Sequence, residues 1–114
     1  MNSVNSSESP KAKILEKVAQ IPLGKLTTYG SISKLTGINP RQVGWVLSGF
    51  TDEEMQKCPW QRVLAKHGIV SSLKLGPRGA LQIEILKLEG FEVEGDQVVD
   101  FEDYLDNQSS SGLF

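Results

Sequence analysis

Cys58 and His67 are the only cysteine and the only histidine in the chain, and together they bound its covalent chemistry. Transfer to a thiol needs a thiolate within reach of its substrate and a neighbour that generates it. Cys58 lies two positions before Trp60, with Pro59 between them, and no activating group is evident. One His and one Cys make no metal-ligand set. No glycine motif of the P-loop or dinucleotide type occurs, so no cofactor is expected. The chemistry these residue types do offer is non-covalent. Trp60 and Trp45 offer large flat apolar faces that suit packing or stacking. Arg41 is planar and permanently charged, and can stack and hydrogen-bond together. Tyr29 places a phenol hydroxyl beside a predicted helix start, where backbone N–H groups also attract phosphate.

These residues need elements to position them. Ser9 and Pro10 read as N-cap and first residue of a helix whose inner face carries Ile14, Leu15, Val18 and Ile21. Pro22, Leu23 and Gly24 stop it. Thr28 caps a short second helix with Ile32 and Leu35 inward and Gly37 at its end. Asn39 and Pro40 begin a third, with an apolar stripe of Val43, Val46, Leu47 and Phe50. Two short helices joined through Thr36, Gly37 and Ile38 predict a helix-turn-helix, a pattern shared by many small helical domains. Trp45 reads as helix packing or partial surface cover.

Further on, residues 51–58 read as a loop. Residues 62–64 and 69–71 are expected to pair as a hairpin across Lys66, His67 and Gly68, with His67 exposed at the turn. Pro77 opens a fourth helix with Leu81, Ile85 and Leu88 at helical spacing and Gly90 as its stop. Residues 91–93 and 98–101 form an acidic hairpin around Gly95 and Asp96. The fold class is therefore mainly α with small β hairpins, a winged helix-turn-helix over residues 9–106. Residues 1–8 and 107–114 are polar flanks expected to be disordered.

Bulk properties fit this picture. A chain of 114 residues makes one domain and buries roughly two-thirds of its surface. A single cysteine fits a reducing compartment. The start lacks the basic and apolar regions of a signal peptide, and no apolar run reaches membrane-spanning length. A cytoplasmic monomer is expected, or a nuclear one in a eukaryote. The net charge is −2, but its distribution is uneven. Residues 22–78 hold eight Lys/Arg against three Asp/Glu, and residues 79–114 hold one Lys against nine acids. A duplex meets the potential of the nearest face, not the sum.

Four blocks of sequence resemble one family. Pro59-Trp60-Gln61-Arg62-Val63 is similar to the Pro-Cys-His-Arg-Val motif of the O6-alkylguanine-DNA alkyltransferases. Ile21-Pro22, Gly24-Lys25 and Thr27-Thr28-Tyr29-Gly30 resemble that family's entry into its helix-turn-helix. Arg41-Gln42-Val43-Gly44 resembles its recognition helix, and Gly68, Glu89 and Gly90 also fall at family positions. Trp60 stands where the family keeps its methyl-accepting cysteine, and Gln61 where it keeps the activating histidine. The Cys-to-Trp change marks the alkyltransferase-like proteins, which bind alkylated DNA without repairing it directly.

The resemblance implies roles residue by residue. Arg41 would be the finger that fills the gap left by an extruded nucleotide, whose flipping costs a few kcal/mol. Tyr29 would press on the target phosphate, or else sit half-buried at a helix seam. Thr28 would add a second phosphate contact. Gly44 would let the helix approach the minor-groove wall, or serve helix packing. Trp60 and Val63 would bound the lesion pocket, with Ser72, Leu73 and Lys74 from the lesion-binding loop. Residues 71–76 match that loop in length but not content: Leu73 stands where relatives often carry an arginine. Arg62 reads as structural. Gln61 cannot act as a base, so no catalytic residue is expected.

The function implied is recognition of O6-alkylguanine in duplex DNA and its flagging for nucleotide excision repair proteins. Three rivals stay open: a sequence-specific regulator reading the major groove with residues 40–49, a residual alkyltransferase using Cys58, and a protein-interaction module.

Overall fold

The computed structural model describes residues 9–70 and 77–106. Helix α1 (Pro10–Ala19) begins as its sequence dictates. The Ser9 hydroxyl accepts the Ala12 N–H at 3.1 Å, and Pro10 removes a donor that the first turn could not satisfy. Ile14 and Val18 are fully buried, each contributing about 1.5–3 kcal/mol by leaving water.

A two-residue strand β1 (Thr27–Thr28) runs directly into α2 (Tyr29–Thr36). Gly37 ends α2 in the left-handed region at φ 78°, where a Cβ would be strained, and its N–H closes on the Ser33 carbonyl at 2.7 Å. Helix α3 (Pro40–Ser48) follows after Asn39, whose Oδ1 accepts the Arg41 N–H at 2.8 Å. The predicted helix-turn-helix is present. Its helices and α1 enclose one core of Ile14, Val18, Ile32, Val43, Leu47 and Phe50, which also takes in Trp60 and Val63.

The segment 51–58, expected to be a loop, instead contains helix α4 (Asp52–Lys57). It starts with a reciprocal capping box: Thr51 Oγ1 accepts the Glu54 N–H, and Glu54 Oε1 accepts the Thr51 N–H. Lys11 ties Glu54 to α1 at 2.8 Å and holds that carboxyl below the usual carboxylate range. The Thr-x-x-Glu spacing is the signal that the loop reading passed over.

The hairpin expected from residues 62–64 and 69–71 is corrected. Arg62 closes a 3-10 turn (Trp60–Arg62), and β2 (Val63–Leu64) pairs in parallel with β1, Thr27 opposite Val63 and Thr28 opposite Leu64. Among the described residues the Ala65–Ile69 bridge is what remains of the hairpin, and Ser71 lies outside them. Val63 and Leu64 are both buried, which suits a strand covered on two faces. Gly68 is required beside that bridge. Its φ is 79°, and a Cβ there would lie 2.6 Å from Cγ of Phe101.

Helix α5 (Pro77–Leu88) forms where predicted but with another face inward. Leu81 and Leu88 are exposed, while Gln82 and Leu86 are buried. A polar residue occupies the centre of this seam, so a stripe drawn only through apolar residues comes out rotated by about one position. Strands β3 (Val93–Glu94) and β4 (Gln97–Val98) form the second hairpin, but shorter than the expected strands 91–93 and 98–101: Phe91 lies outside it and Phe101 opens a 3-10 turn (Phe101–Tyr104), both buried in the core. A second core of Leu26, Leu64, Val70, Leu86, Phe91 and Val98 lies beneath it.

Candidate nucleic-acid interface

The β1–β2 ladder fixes two side chains relative to each other. Thr28 is the last residue of β1 and the N-cap of α2, so Tyr29 opens that helix directly from the strand. Val63 opens β2 directly after the 3-10 turn that begins at Trp60. Between α2, α3 and this turn lies a groove of about 700 Å³. Pockets of about 300–1,000 Å³ accept small organic ligands, so a single base fits by volume.

Tyr29, Arg41, Gly44, Trp60 and Val63 all line this groove. Five residues predicted from separate blocks of sequence are thus brought together. Thr28 does not line it. Its hydroxyl accepts the Ser31 N–H and donates to Ser31 Oγ, both at 3.1 Å, which makes it the cap that aims Tyr29. Ser72, Leu73 and Lys74 lie outside the described residues.

Trp60 is only 7% exposed, and its indole is both core and wall. The main chain around it is pinned from three sides. Gln82, itself buried, donates Nε2 to the carbonyls of Gln61 at 3.0 Å and Val63 at 3.1 Å. Glu89 accepts from Gln61 Nε2 and from Arg62 Nε, the latter at 2.9 Å. Arg62 also reaches the Ile21 carbonyl at 2.9 Å, so it ties the motif to α1 and α5 in the structural role read from sequence. Gln61 is a clamp on the Glu89 carboxylate, donating its amide there.

Cys58 faces elsewhere. It lines a second cleft of about 600 Å³, to which Trp60 and Gln61 also contribute, and does not line the first. Burial pushes its thiol up to about 11, against a lowering by a Trp60 backbone hydrogen bond and with a smaller push from the nearby Glu54 charge. A thiol so placed is almost wholly protonated at neutral pH.

Three further residues, Arg78, Gln82 and Trp45, also line the groove. Arg78 sends its guanidinium to the carbonyls of Leu47, Ser48 and Phe50 at 3.2, 2.6 and 2.9 Å, satisfying the end of α3 and complementing its dipole. Gln82 is the second. Trp45 is the third, and of the two roles expected for it, helix packing and partial surface cover, the exposed one holds: it is 77% exposed on α3. Spacing would have revealed it, because residue 45 falls outside the buried positions 43, 47 and 50 and shares a face with Arg41. No run in any described helix is long and apolar enough to cross a membrane.

The family model described as "6-O-methylguanine DNA methyltransferase, DNA binding domain" matches residues 9–91. The chain belongs to this alkyltransferase DNA-binding family. The "DNA base-flipping protein" of Escherichia coli is 36% identical over 104 residues, spanning 89% of this chain and 77% of that protein. "Alkyltransferase-like protein 1" of Schizosaccharomyces pombe is 32% identical over 83 residues, spanning 71% of this chain and 75% of that one. Among solved structures, S. pombe Atl1 in complex with damaged DNA containing O6-carboxymethylguanine superposes with a TM-score of 0.75 at 28% identity. That match covers 84% of this chain and 93% of the other. The alkyltransferase-type fold expected from the sequence is thereby established, and its relatives include proteins named for flipping bases.

Proposed function

We propose that this protein binds duplex DNA through the α3 face, turns an O6-alkylguanine out of the stack, and holds it in the groove against Trp60 without covalent chemistry. The observation that carries the reading is the groove itself. An aromatic wall, a cationic helix start and a tyrosine at a second helix start converge on one cavity. Arg41, exposed at the first turn of α3, would fill the vacated space in the stack. Tyr29, with the first N–H groups of α2, would hold the displaced phosphate. Trp60 would stack on the base or enclose its alkyl group.

The protein acts as a sensor rather than an enzyme in this reading. Trp60 and Gln61 stand at the nucleophile and base positions implied by the resemblance, and Cys58 opens on the other cleft with a protonated thiol. Residues 79–114, with nine acids and one lysine, would turn away from DNA and meet nucleotide excision repair proteins.

Fluorescence anisotropy with O6-methylguanine and unmodified duplexes of one sequence, at matched salt, tests the reading. Tighter binding of the lesion duplex is expected, with the difference collapsing in Trp60→Ala. Equal affinities for the two duplexes would remove the lesion claim. A strong preference for one undamaged sequence would replace it with a regulator.

A further inference from the structure

Trp45 is among the largest apolar side chains the described surface leaves in water, at 77% exposure. It stands on α3 one turn after Arg41, and the i, i+4 spacing puts both on one helix face. Both line the same groove as Trp60, which is 7% exposed. One indole therefore forms a wall within the core, and the other projects at the rim. Nothing in the fold requires the second: Val43 and Leu47 hold α3 to the core. Asn39 caps the start of α3, and Arg78 satisfies its end.

We infer that Trp45 is an aromatic wedge that enters the DNA minor groove beside the extruded nucleotide. The inference rests on the DNA-binding reading above and adds a contact to it. The occupant is argued from charge and position. Residues 22–78 carry eight basic against three acidic side chains, and Trp45 lies beside Arg41 on the helix that this cationic stretch contains. Apolar side chains that enter the minor groove part neighbouring base steps and widen it, without reading sequence. An indole at this place therefore strengthens binding to damaged and undamaged duplexes alike. Discrimination between them is left to the pocket over Trp60.

The test compares wild type, Trp45→Ala and Trp45→Phe on an O6-methylguanine duplex and an unmodified duplex of the same sequence. Trp45→Ala is expected to weaken both by the same factor, on the order of tenfold. It should leave the salt dependence of binding unchanged, because no charge is lost. Trp45→Phe should recover most of the loss. Thermal melting of the free variants should match wild type, since the side chain is exposed. A Trp45→Ala protein that binds both duplexes within twofold of wild type overturns the inference while leaving the proposed function standing. A loss confined to the lesion duplex also overturns it, by making Trp45 part of the base pocket. A wild-type protein that binds neither duplex removes the proposed function and this inference with it. If Trp45→Ala fails to fold, Trp45→Gln and Trp45→Phe supply the same comparison.

Discussion

Gly44 faces the ring of Tyr29: a methyl group built on Gly44 would lie 3.8 Å from both Cε2 and Cζ. That is ordinary contact, so the two helices of the helix-turn-helix meet with room for a methyl group on Gly44. Both uses read for Gly44 from the sequence, helix packing and close approach to DNA, bear on this one spot.

Gly44→Ala should therefore fold, and should stabilise the free protein by up to about 1 kcal/mol, because alanine favours a helix interior over glycine. Urea denaturation with an unchanged m-value would show it. A larger side chain has no such space. Gly44→Phe should displace Tyr29 and weaken duplex binding at least as much as Tyr29→Ala does. A Gly44→Ala protein less stable than wild type would mean the helices cannot accept even the methyl group.

The Glu89 clamp predicts a large loss. Glu89→Ala leaves the Arg62 guanidinium without its carboxylate at a site where both side chains are only 12% exposed. Breaking such a pair from one side typically costs about 3–5 kcal/mol. Arg62→Lys should rescue little, since Nε reaches Glu89 while Nη1 reaches Ile21, and one ammonium cannot serve both. Chemical denaturation checks both variants. A change below about 1 kcal/mol in Glu89→Ala would show solvent already screening the pair.

Gln82→Leu is nearly isosteric but removes the donor shared by the Gln61 and Val63 carbonyls. A buried acceptor left unsatisfied costs about 1–3 kcal/mol. The loss should appear in the melting temperature. It should also loosen the seat of Trp60, read as weaker discrimination between lesion and plain duplexes. Unchanged stability would show that water replaces the amide.

Cys58 predicts a pH dependence of definite sign. Its thiol is raised to about 11 in the folded chain, whereas an unfolded cysteine titrates near 8.5. The folded state thus holds this proton more tightly. The associated stability is fully present below about pH 8.5 and is lost as pH climbs toward 11. Native protein should react slowly with thiol reagents at pH 8, and Cys58→Ala should flatten the alkaline loss of stability. Rapid labelling of the native state at neutral pH, or a methyl-group mass gain after incubation with O6-methylguanine DNA, would reinstate Cys58 as a nucleophile.

Arg41→Ala should weaken both duplexes and reduce the salt slope of binding by about one. Affinity titrations at several salt concentrations measure it. An unchanged slope would place Arg41 off the DNA.

The local features of this fold were legible because they are written in short-range chemistry. Ser9, Thr28, Asn39 and Gly37 each mark a helix end through a cap or a left-handed turn, and each does so in the structure. The groove residues Tyr29, Arg41, Gly44, Trp60 and Val63 could be gathered in advance only through a family resemblance. What the sequence hid is non-local or polar. The partner of Val63 is Thr27, across the whole helix-turn-helix and α4, and no periodicity announces a parallel bridge of two residues. The inward face of α5 turns on Gln82, whose burial follows from two carbonyls it must satisfy and not from hydropathy. Trp45 reads from its residue type as either packing or surface cover, and its helical position, outside residues 43, 47 and 50, is what turns it outward.

The place of residue 60 is set almost wholly by its neighbours' main chain and by clamps on Gln61, Arg62 and Val63. Those hydrogen bonds run through the main chain and the flanking side chains, while the indole adds its own packing in the core. The fold thus works as a socket whose insert can be exchanged. On the proposed reading, the same backbone would present either a reactive group or an inert ring at this spot.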